Sequence, residues 1–193
     1  MTQISLIVEG EEDVRFLQDF IDFHFTQKLD KNSFVVIGGK SETIHLSVPK
    51  IQANTDSGKT NVLIFDADDP DYTSTMINIS TETARHLLKL DCFFLFPDNK
   101  AKGNLESLLK SSVVKENEKL FGCIDDYAAC KGALNLKRSR VIDEKEKLWI
   151  YHGSFEESGN AKGSKRNYLD PDIWDLNNSN LNPLKDFLGQ FLK

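Results

Sequence analysis

Cysteines are few in this sequence, and their spacing excludes several kinds of site. There are three, at Cys92, Cys123 and Cys130. No pair has the close spacing of a zinc or thiol redox motif, and an odd number does not suit a disulfide framework. We therefore expect three reduced structural thiols and no zinc site built on cysteine.

The sequence also lacks a long apolar run and an excess of basic residues. No stretch is long enough to span a bilayer, and Met1 leads into a strand-like segment without a charged leader, which predicts a cytoplasmic protein with no membrane partner. The 24 lysines and arginines are outnumbered by 30 aspartates and glutamates, giving a net charge of −6. This balance argues against non-specific coating of nucleic acid, although it permits a local basic groove and suits a metal site.

The most informative segment of the sequence is 62–69, which reads Val-Leu-Ile-Phe-Asp-Ala-Asp-Asp. Four successive apolar residues predict a strand buried on both faces, as in a parallel sheet covered by helices. Asp66 and Asp68 are two positions apart, so they point to the same side where the strand leaves the core. They form a pair of hard oxygen ligands. The alternative is a solvated turn, because Asp68, Asp69 and Pro70 are also typical turn residues.

Acidic residues follow two other predicted strands in the same way. Glu9 follows Ile4–Val8, and Asp98 follows Cys92–Phe96. The carboxyl ends of parallel strands meet at one edge of the sheet, where open α/β folds bind ligands. Glu9 could instead be a helix-initiating acid, but the three acids at 11–13 can fill that role. The recurrence after three strands predicts an acidic site at this edge.

The remaining patterns predict a three-layer α/β fold, with a mostly parallel central sheet of about four to five strands flanked by helices. Further strands are expected at 34–37 and 147–151. Asn104 is the expected cap of a helix with Glu106 in its first turn, where the acid could serve the helix dipole alone. Other helices are expected from Glu11, within 41–52 with Pro49 inside, from Ser80 or Thr81 to Leu90, at 125–135 and at 181–191. The 193 residues suit a single domain with a core of about 1–110 and a C-terminal elaboration of about 111–193.

Two basic regions are candidates for contact with phosphate. Residues 53–60 resemble a phosphate-binding P-loop, but they precede a strand instead of a helix, so we expect a polar loop with Lys59 facing a bound anion. The largest cationic cluster is either a solvated face or a track for phosphates. It comprises Lys131, Lys137, Arg138 and Arg140. A polar surface loop is expected at 153–167, and its basic part is 162–166.

Two sets of motifs resemble known families. Glu9-Gly10 after the first strand and Phe65-Asp66-Ala67-Asp68 after a later one resemble the Toprim domain of topoisomerases, bacterial primases, small RNA-maturing nucleases and overcoming-lysogenization-defect nucleases. A second resemblance covers nearly the whole chain. It is to a standalone prokaryotic Toprim-like family of unknown function, distantly related to those last nucleases, and it is carried by Phe96-Pro97-Asp98 and by the segments 103–106, 174–176 and 183–185.

The resemblance implies a Toprim or Rossmann-like fold and a metal-dependent reaction on phosphodiesters. Glu9 would act as general acid or base, and Asp66 and Asp68 would hold Mg²⁺, with Mn²⁺ as the alternative ion. Asp98 and Glu106 would be candidates for a second ion. The chain lacks the additional domains of primases, topoisomerases and the overcoming-lysogenization-defect proteins. We therefore expect a small nuclease acting on DNA or RNA, with Lys59, the cationic cluster and the loop 162–166 guiding the backbone.

Two alternatives remain open at this stage. One is a non-catalytic Toprim-like module that binds nucleic acid or a protein partner within a larger complex, or forms a homodimer. The other is a small-molecule phosphohydrolase of the haloacid dehalogenase type, which shares the Phe65–Asp68 pattern. This alternative ranks below the nuclease and the non-catalytic module, because haloacid dehalogenase-type enzymes carry the nucleophilic aspartate on the first strand.

Overall fold

The computed structural model describes residues 4–39, 41–68, 70–155 and 166–192. Asp69 and the basic residues 162–165 lie outside these ranges. The helices and strands are β1 (Ile4–Val8), α1 (Glu11–Phe25), β2 (Phe34–Val36), α2 (Val48–Asp56), β3 (Thr60–Asp66), α3 (Tyr72–Arg85), β4 (Cys92–Phe96), α4 (Leu105–Ser111), α5 (Lys119–Ala133), α6 (Glu144–His152) and α7 (Asn182–Leu188). None of the helices in the described ranges is both long and apolar enough to cross a membrane.

The four strands form one sheet in the order β2-β1-β3-β4. All three pairings are parallel, with Val8 opposite Ile64 and Asp66 opposite Phe96. The α/β fold with a parallel sheet flanked by helices is thus confirmed. β2 lies on one side of β1 in the sheet, and β3 lies on the other side of β1. This reversal makes the gap between the carboxyl ends of β1 and β3 the switch point at which such sheets bind ligands.

Both faces of the sheet are covered, which explains the continuous apolar runs of the strands. On one face, Val8, Ile64 and Phe96 belong to the larger core, together with side chains of α1, α4, α5, α6 and α7. On the other face, Leu63 and Phe65 belong to a smaller core with side chains of α2 and α3. Asp66 continues the alternation of Val62 and Ile64, so it leaves β3 on the side of α1 and α4.

The prediction of a strand at 147–151 is wrong, because these residues belong to the helix α6. Asp143 caps this helix by accepting a hydrogen bond from the N–H of Glu146 at 2.8 Å. Leu148, Tyr151 and His152 are buried at helical spacing. The β-prone sequence Leu-Trp-Ile-Tyr was misleading because packing against the larger core decides its conformation, as is usual for short apolar runs.

Several predicted helix boundaries also require correction. α3 begins at Tyr72, eight residues before the predicted start at Ser80, because Asp71 caps it by accepting a hydrogen bond from the N–H of Ser74 at 2.9 Å.

α2 begins at Val48, so Pro49 lies in the first turn of the helix. The N–H groups of the first turn have no partner within the helix, so the N–H that proline lacks costs no hydrogen bond there. α2 also extends through Asp56, which makes the first half of the predicted 53–60 loop helical. The predicted cap at Asn104 is confirmed.

Candidate active site at the carboxyl edge of the sheet

Glu9 and Asp66 meet across the gap between β1 and β3. Oε1 of Glu9 accepts a hydrogen bond from the backbone N–H of Asp66 at 3.0 Å. Glu9 follows Val8, and Asp66 ends β3 two positions after Ile64, the register partner of Val8. Both side chains are half-buried. The parallel pairing of two buried strands therefore places these two acids side by side, although 57 positions separate them in the sequence.

A second contact joins Asp66 to α4. Oδ1 of Asp66 accepts from the N–H of Leu105, the first residue of α4, at 2.9 Å. Just beyond β3, the N–H of Ala67 donates to the carbonyl of Gly103 at 2.8 Å, and a reciprocal bond of 3.3 Å completes an antiparallel bridge. These contacts fix the first turn of α4, which carries Glu106, beside the end of β3.

Gly103 is required by the close packing at this bridge. A Cβ at this position would lie 2.8 Å from Cδ of Pro97 and 2.9 Å from Oγ of Ser107. We expect Gly103→Ala to lower the free energy of unfolding by about 1–3 kcal/mol, because the rigid proline ring cannot yield without moving the bridge. Thermal unfolding checks this result. The control is Gly122→Ala on the exposed side of α5, where a Cβ meets nothing within 4 Å and helix propensity predicts a gain of up to about 1 kcal/mol. Equal effects of the two substitutions on the unfolding temperature would show that close packing at Gly103 is not the cause.

Asp13 is a further acid of the site, and the sequence predicted it only as a helix-initiating residue. Its Oδ2 accepts from the N–H of Gly10 at 2.7 Å. Burial, followed by the charges of Glu106 and Glu12, raises the pKa of Asp13 to about 6, against the opposing effects of the Gly10 N–H and of Lys145. One signal could have identified it. Asp13 is the third residue of a helix that starts directly after Glu9-Gly10, and helical side chains point back toward the N-terminus.

Four carboxyl groups thus influence one another at this edge, and we call them the acidic site. They are Glu9, Asp13, Asp66 and Glu106. Burial raises the pKa of Asp66 well above its usual range, and the charges of Glu9, Asp13 and Glu106 raise it further, opposed by the N–H of Leu105. Such concentrated negative charge favours either a shared proton or a bound cation. Oxygen donors of this kind suit Mg²⁺, Mn²⁺ or Ca²⁺.

The fit of a metal ion depends on how many protein ligands it needs. Within the described ranges, no three side chains of histidine, cysteine, aspartate or glutamate stand together as a ready-made metal site. Mg²⁺ keeps several waters and is usually held by only one or two carboxylates together with substrate phosphates. The carboxylate of Asp66, with Glu9 beside it, meets that smaller requirement, and Asp68 is half-buried two positions beyond the end of β3.

The structure does not bring every predicted residue to this site. Oδ1 of Asp98 accepts from the N–H groups of Lys100 and Ala101, at 3.0 and 2.8 Å, so the carboxylate stabilises its own turn. Lys59 precedes β3 and therefore lies at the opposite edge of the sheet from Asp66, about 20 Å away along the strand. An anion at the acidic site is out of its reach.

The basic residues of the C-terminal half are also placed by the structure. Lys131 lies near the end of α5, and Lys137, Arg138 and Arg140 lie in the irregular segment that follows. No contact among the described residues joins them to the acidic site. The prediction for Arg166 is wrong: it is only 7% exposed, and its Nη1 pairs with Glu12 at 2.9 Å. The hydroxyl of Tyr168 contacts the same carboxylate.

Comparisons with known proteins give one result. No curated protein and no solved structure matches the chain. One family model matches residues 3–193, which is nearly the whole sequence, and its description is a protein of unknown function, DUF3226. The chain therefore belongs to the DUF3226 family.

Proposed function

We propose that this protein is a Mg²⁺-dependent nucleic-acid phosphodiesterase, a small nuclease with a site of the Toprim type. The observation that carries the proposal is the contact between Glu9 and Asp66 at the switch point of the sheet, where the Glu9 carboxylate accepts the Asp66 N–H at 3.0 Å. Two motifs far apart in the sequence thereby contribute to one acidic site at the carboxyl edge of the sheet, where open α/β folds bind ligands.

The residues divide into ligands and proton-transfer groups. Asp66 and Asp68 are the proposed ligands of Mg²⁺ or Mn²⁺, and Glu106 is the candidate for a second ion, whereas Asp98 stabilises its own turn. Such an ion supplies polarisation of the phosphoryl group and a lower pKa for a bound water. Glu9 would then act as general acid or base. Asp13, whose pKa is about 6, can hold or release a proton close to neutral pH.

A cation is available on the rim of the acidic site. Lys145 is exposed in the first turn of α6, and its charge lowers the pKa of Asp13. Nothing in its sequence context distinguishes Lys145 from the other lysines. Its position suits contact with a phosphate of the substrate, where a flexible ammonium group acts as a point charge.

The proposal is tested by incubating the full chain with labelled single- and double-stranded DNA and RNA in Mg²⁺, in Mn²⁺ and in excess EDTA. We expect cleavage of at least one polymer with either ion and none in EDTA, because a cluster of carboxylates repels a phosphoryl group unless a divalent ion lies between them. A protein that leaves all four polymers intact with both ions would overturn the proposal.

A second candidate, a non-catalytic module that acts with a protein partner, is favoured by a different observation. The apolar side chains of Leu134, Leu136 and Val141 are exposed together next to the cationic cluster. Calorimetric Mg²⁺ binding in a protein that does not cleave any of the four polymers would support this candidate.

A further inference from the structure

A groove at the C-terminal end of α5 is separate from the acidic site, and the proposed cleavage reaction does not use it. It has a volume of about 320 Å³ and lies between the end of α5 and the segment that follows it. Its lining includes Ala128, Lys131, Leu136, Arg140, Val141 and Ile142. We call this feature the 128–142 groove.

The shape of the groove is maintained by specific contacts. Nζ of Lys131 donates to the carbonyl of Arg140 at 2.8 Å, which ties the far end of the segment back to α5. Between these ends, the N–H of Ser139 donates to the carbonyl of Leu136 at 3.0 Å. Asn135 and Arg138 have left-handed φ values of 47° and 69°, which reverse the chain direction. The segment is therefore a folded wall of the groove.

The groove exposes aliphatic side chains to solvent. Leu136 is 57% exposed and Val141 is 88% exposed, and the neighbouring Leu134 is 61% exposed. Single exposed apolar residues are ordinary on protein surfaces, whereas a cluster rimmed by polar groups marks an interaction site. Covering Leu136 and Val141 requires an aliphatic partner, because a phosphate backbone gains nothing from contact with them.

The segment that forms the wall of the groove has a charge opposite to that of the whole protein. Lys131 and Arg140 line the groove, and Lys137 and Arg138 follow Leu136 in the same wall. Residues 131–140 include no acidic residue, in a chain with a net charge of −6. Arg140 lies 3.4 Å from Glu146, but its side chain is 86% exposed, so this pair is weak. Lys137 and Arg138 form no ion pair with any residue in the described ranges. Both are available to an acidic partner.

We propose that the 128–142 groove binds a segment of a protein partner in which aspartates or glutamates flank aliphatic side chains. The aliphatic side chains would cover Leu136 and Val141, and the acids would pair with Lys137, Arg138 and Arg140. Complementary charge also accelerates the encounter with such a partner. Single-stranded nucleic acid fits less well, since no aromatic side chain on which bases could stack lines the groove among the described residues.

The test is a selection of displayed random 12-residue peptides on the full chain. We expect the selected peptides to be rich in acids around leucine, isoleucine or valine. A fluorescein-labelled copy of the strongest binder should lose at least tenfold in affinity with the double variant Leu136→Ser/Val141→Ser, and with Lys137→Glu/Arg138→Glu. The matched controls are Ile77→Ser, which is an exposed apolar residue of α3 (59% exposed), and Lys28→Glu, whose side chain is 86% exposed. Both controls should bind the peptide as the wild type does.

Three results would overturn the proposal. The first is a selection that yields no acidic, aliphatic consensus. The second is equal peptide binding by the groove variants and the controls. The third is binding of a 12-nucleotide single-stranded DNA or RNA that is lost in Lys137→Glu/Arg138→Glu and retained in Leu136→Ser/Val141→Ser, which would assign the cations to nucleic acid. All four changes are at exposed positions, so the variants should unfold at the same temperature as the wild type.

Discussion

Replacing Asp66 by asparagine should reduce metal-dependent cleavage by about a thousandfold and should also stabilise the metal-free protein. The two effects have one physical origin. Burial, followed by the charges of Glu9, Asp13 and Glu106, raises the pKa of Asp66 well above the usual range. The same uncompensated charge that would attract a cation destabilises the fold when no cation is bound.

The asparagine variant preserves the local geometry. Its side-chain oxygen can still accept the N–H of Leu105, which is 2.9 Å from Oδ1 of Asp66, and its volume is nearly unchanged. Glu9→Gln is the companion variant, because it likewise keeps an acceptor for the Asp66 N–H and removes only the charge and the proton-transfer function. Its cleavage activity should fall to a similar extent.

Cleavage rates and thermal unfolding in EDTA are the two measurements for these variants. The matched control is Asp56→Asn at the exposed end of α2, which should change neither quantity. An Asp66→Asn protein that keeps wild-type cleavage would remove Asp66 from the chemistry. A variant that loses cleavage and also unfolds at a lower temperature would indicate a structural role for the carboxylate instead.

The parts of this site that could be predicted from the sequence are those encoded locally. β1, β3 and β4 are short apolar runs bounded by acids and turn residues, so their ends could be read directly, and with them Glu9 and Asp66. Asn104 likewise predicts the start of α4, because asparagine is a common N-cap residue. In the structure its side chain accepts a hydrogen bond from the N–H of Ser107 at 3.0 Å.

The remaining features depend on packing between distant segments. The strand order, which brings the ends of β1 and β3 together, is set by crossovers that leave no mark in any single run of residues. Asp13 is recognisable as a capping acid, but its proximity to Glu106 depends on the bridge between Ala67 and Gly103. The direction of β3 similarly decides that Lys59, only seven positions from Asp66, lies at the far edge of the sheet.

The free energy of unfolding in EDTA should fall as the pH rises from about 4 to about 6. Asp13 has a pKa of about 6 in the folded protein, against 3.8 for the ordinary side chain. Between these values the folded state holds a proton that the unfolded state has released, so raising the pH favours unfolding. A shift of about two units corresponds to at most about 3 kcal/mol. Asp66 should add to the loss in the same direction, because its pKa is also raised.

Two histidines oppose this trend, so the wild type must be compared with a variant. Burial lowers the pKa of the half-buried His24 and of the buried His152, so the folded protein loses stability when the pH falls below about 6.5. Their contribution cancels in the difference between the wild type and Asp13→Asn, which retains an acceptor for the Gly10 N–H. That difference should favour the variant increasingly from pH 4 to pH 7.

Divalent ions should reverse the effect, which distinguishes a cation site from a merely strained group of acids. Saturating Mg²⁺ stabilises only the folded form and is worth about 2.7 kcal/mol at a hundred times its dissociation constant. It should raise the unfolding temperature of the wild type more at pH 7 than at pH 5, where protons compete for the same carboxylates. Unfolding temperatures measured with Mg²⁺ and with EDTA at both pH values test this expectation. Equal shifts at the two pH values, or the same Mg²⁺ response in Asp66→Asn as in the wild type, would locate the ion elsewhere on the protein.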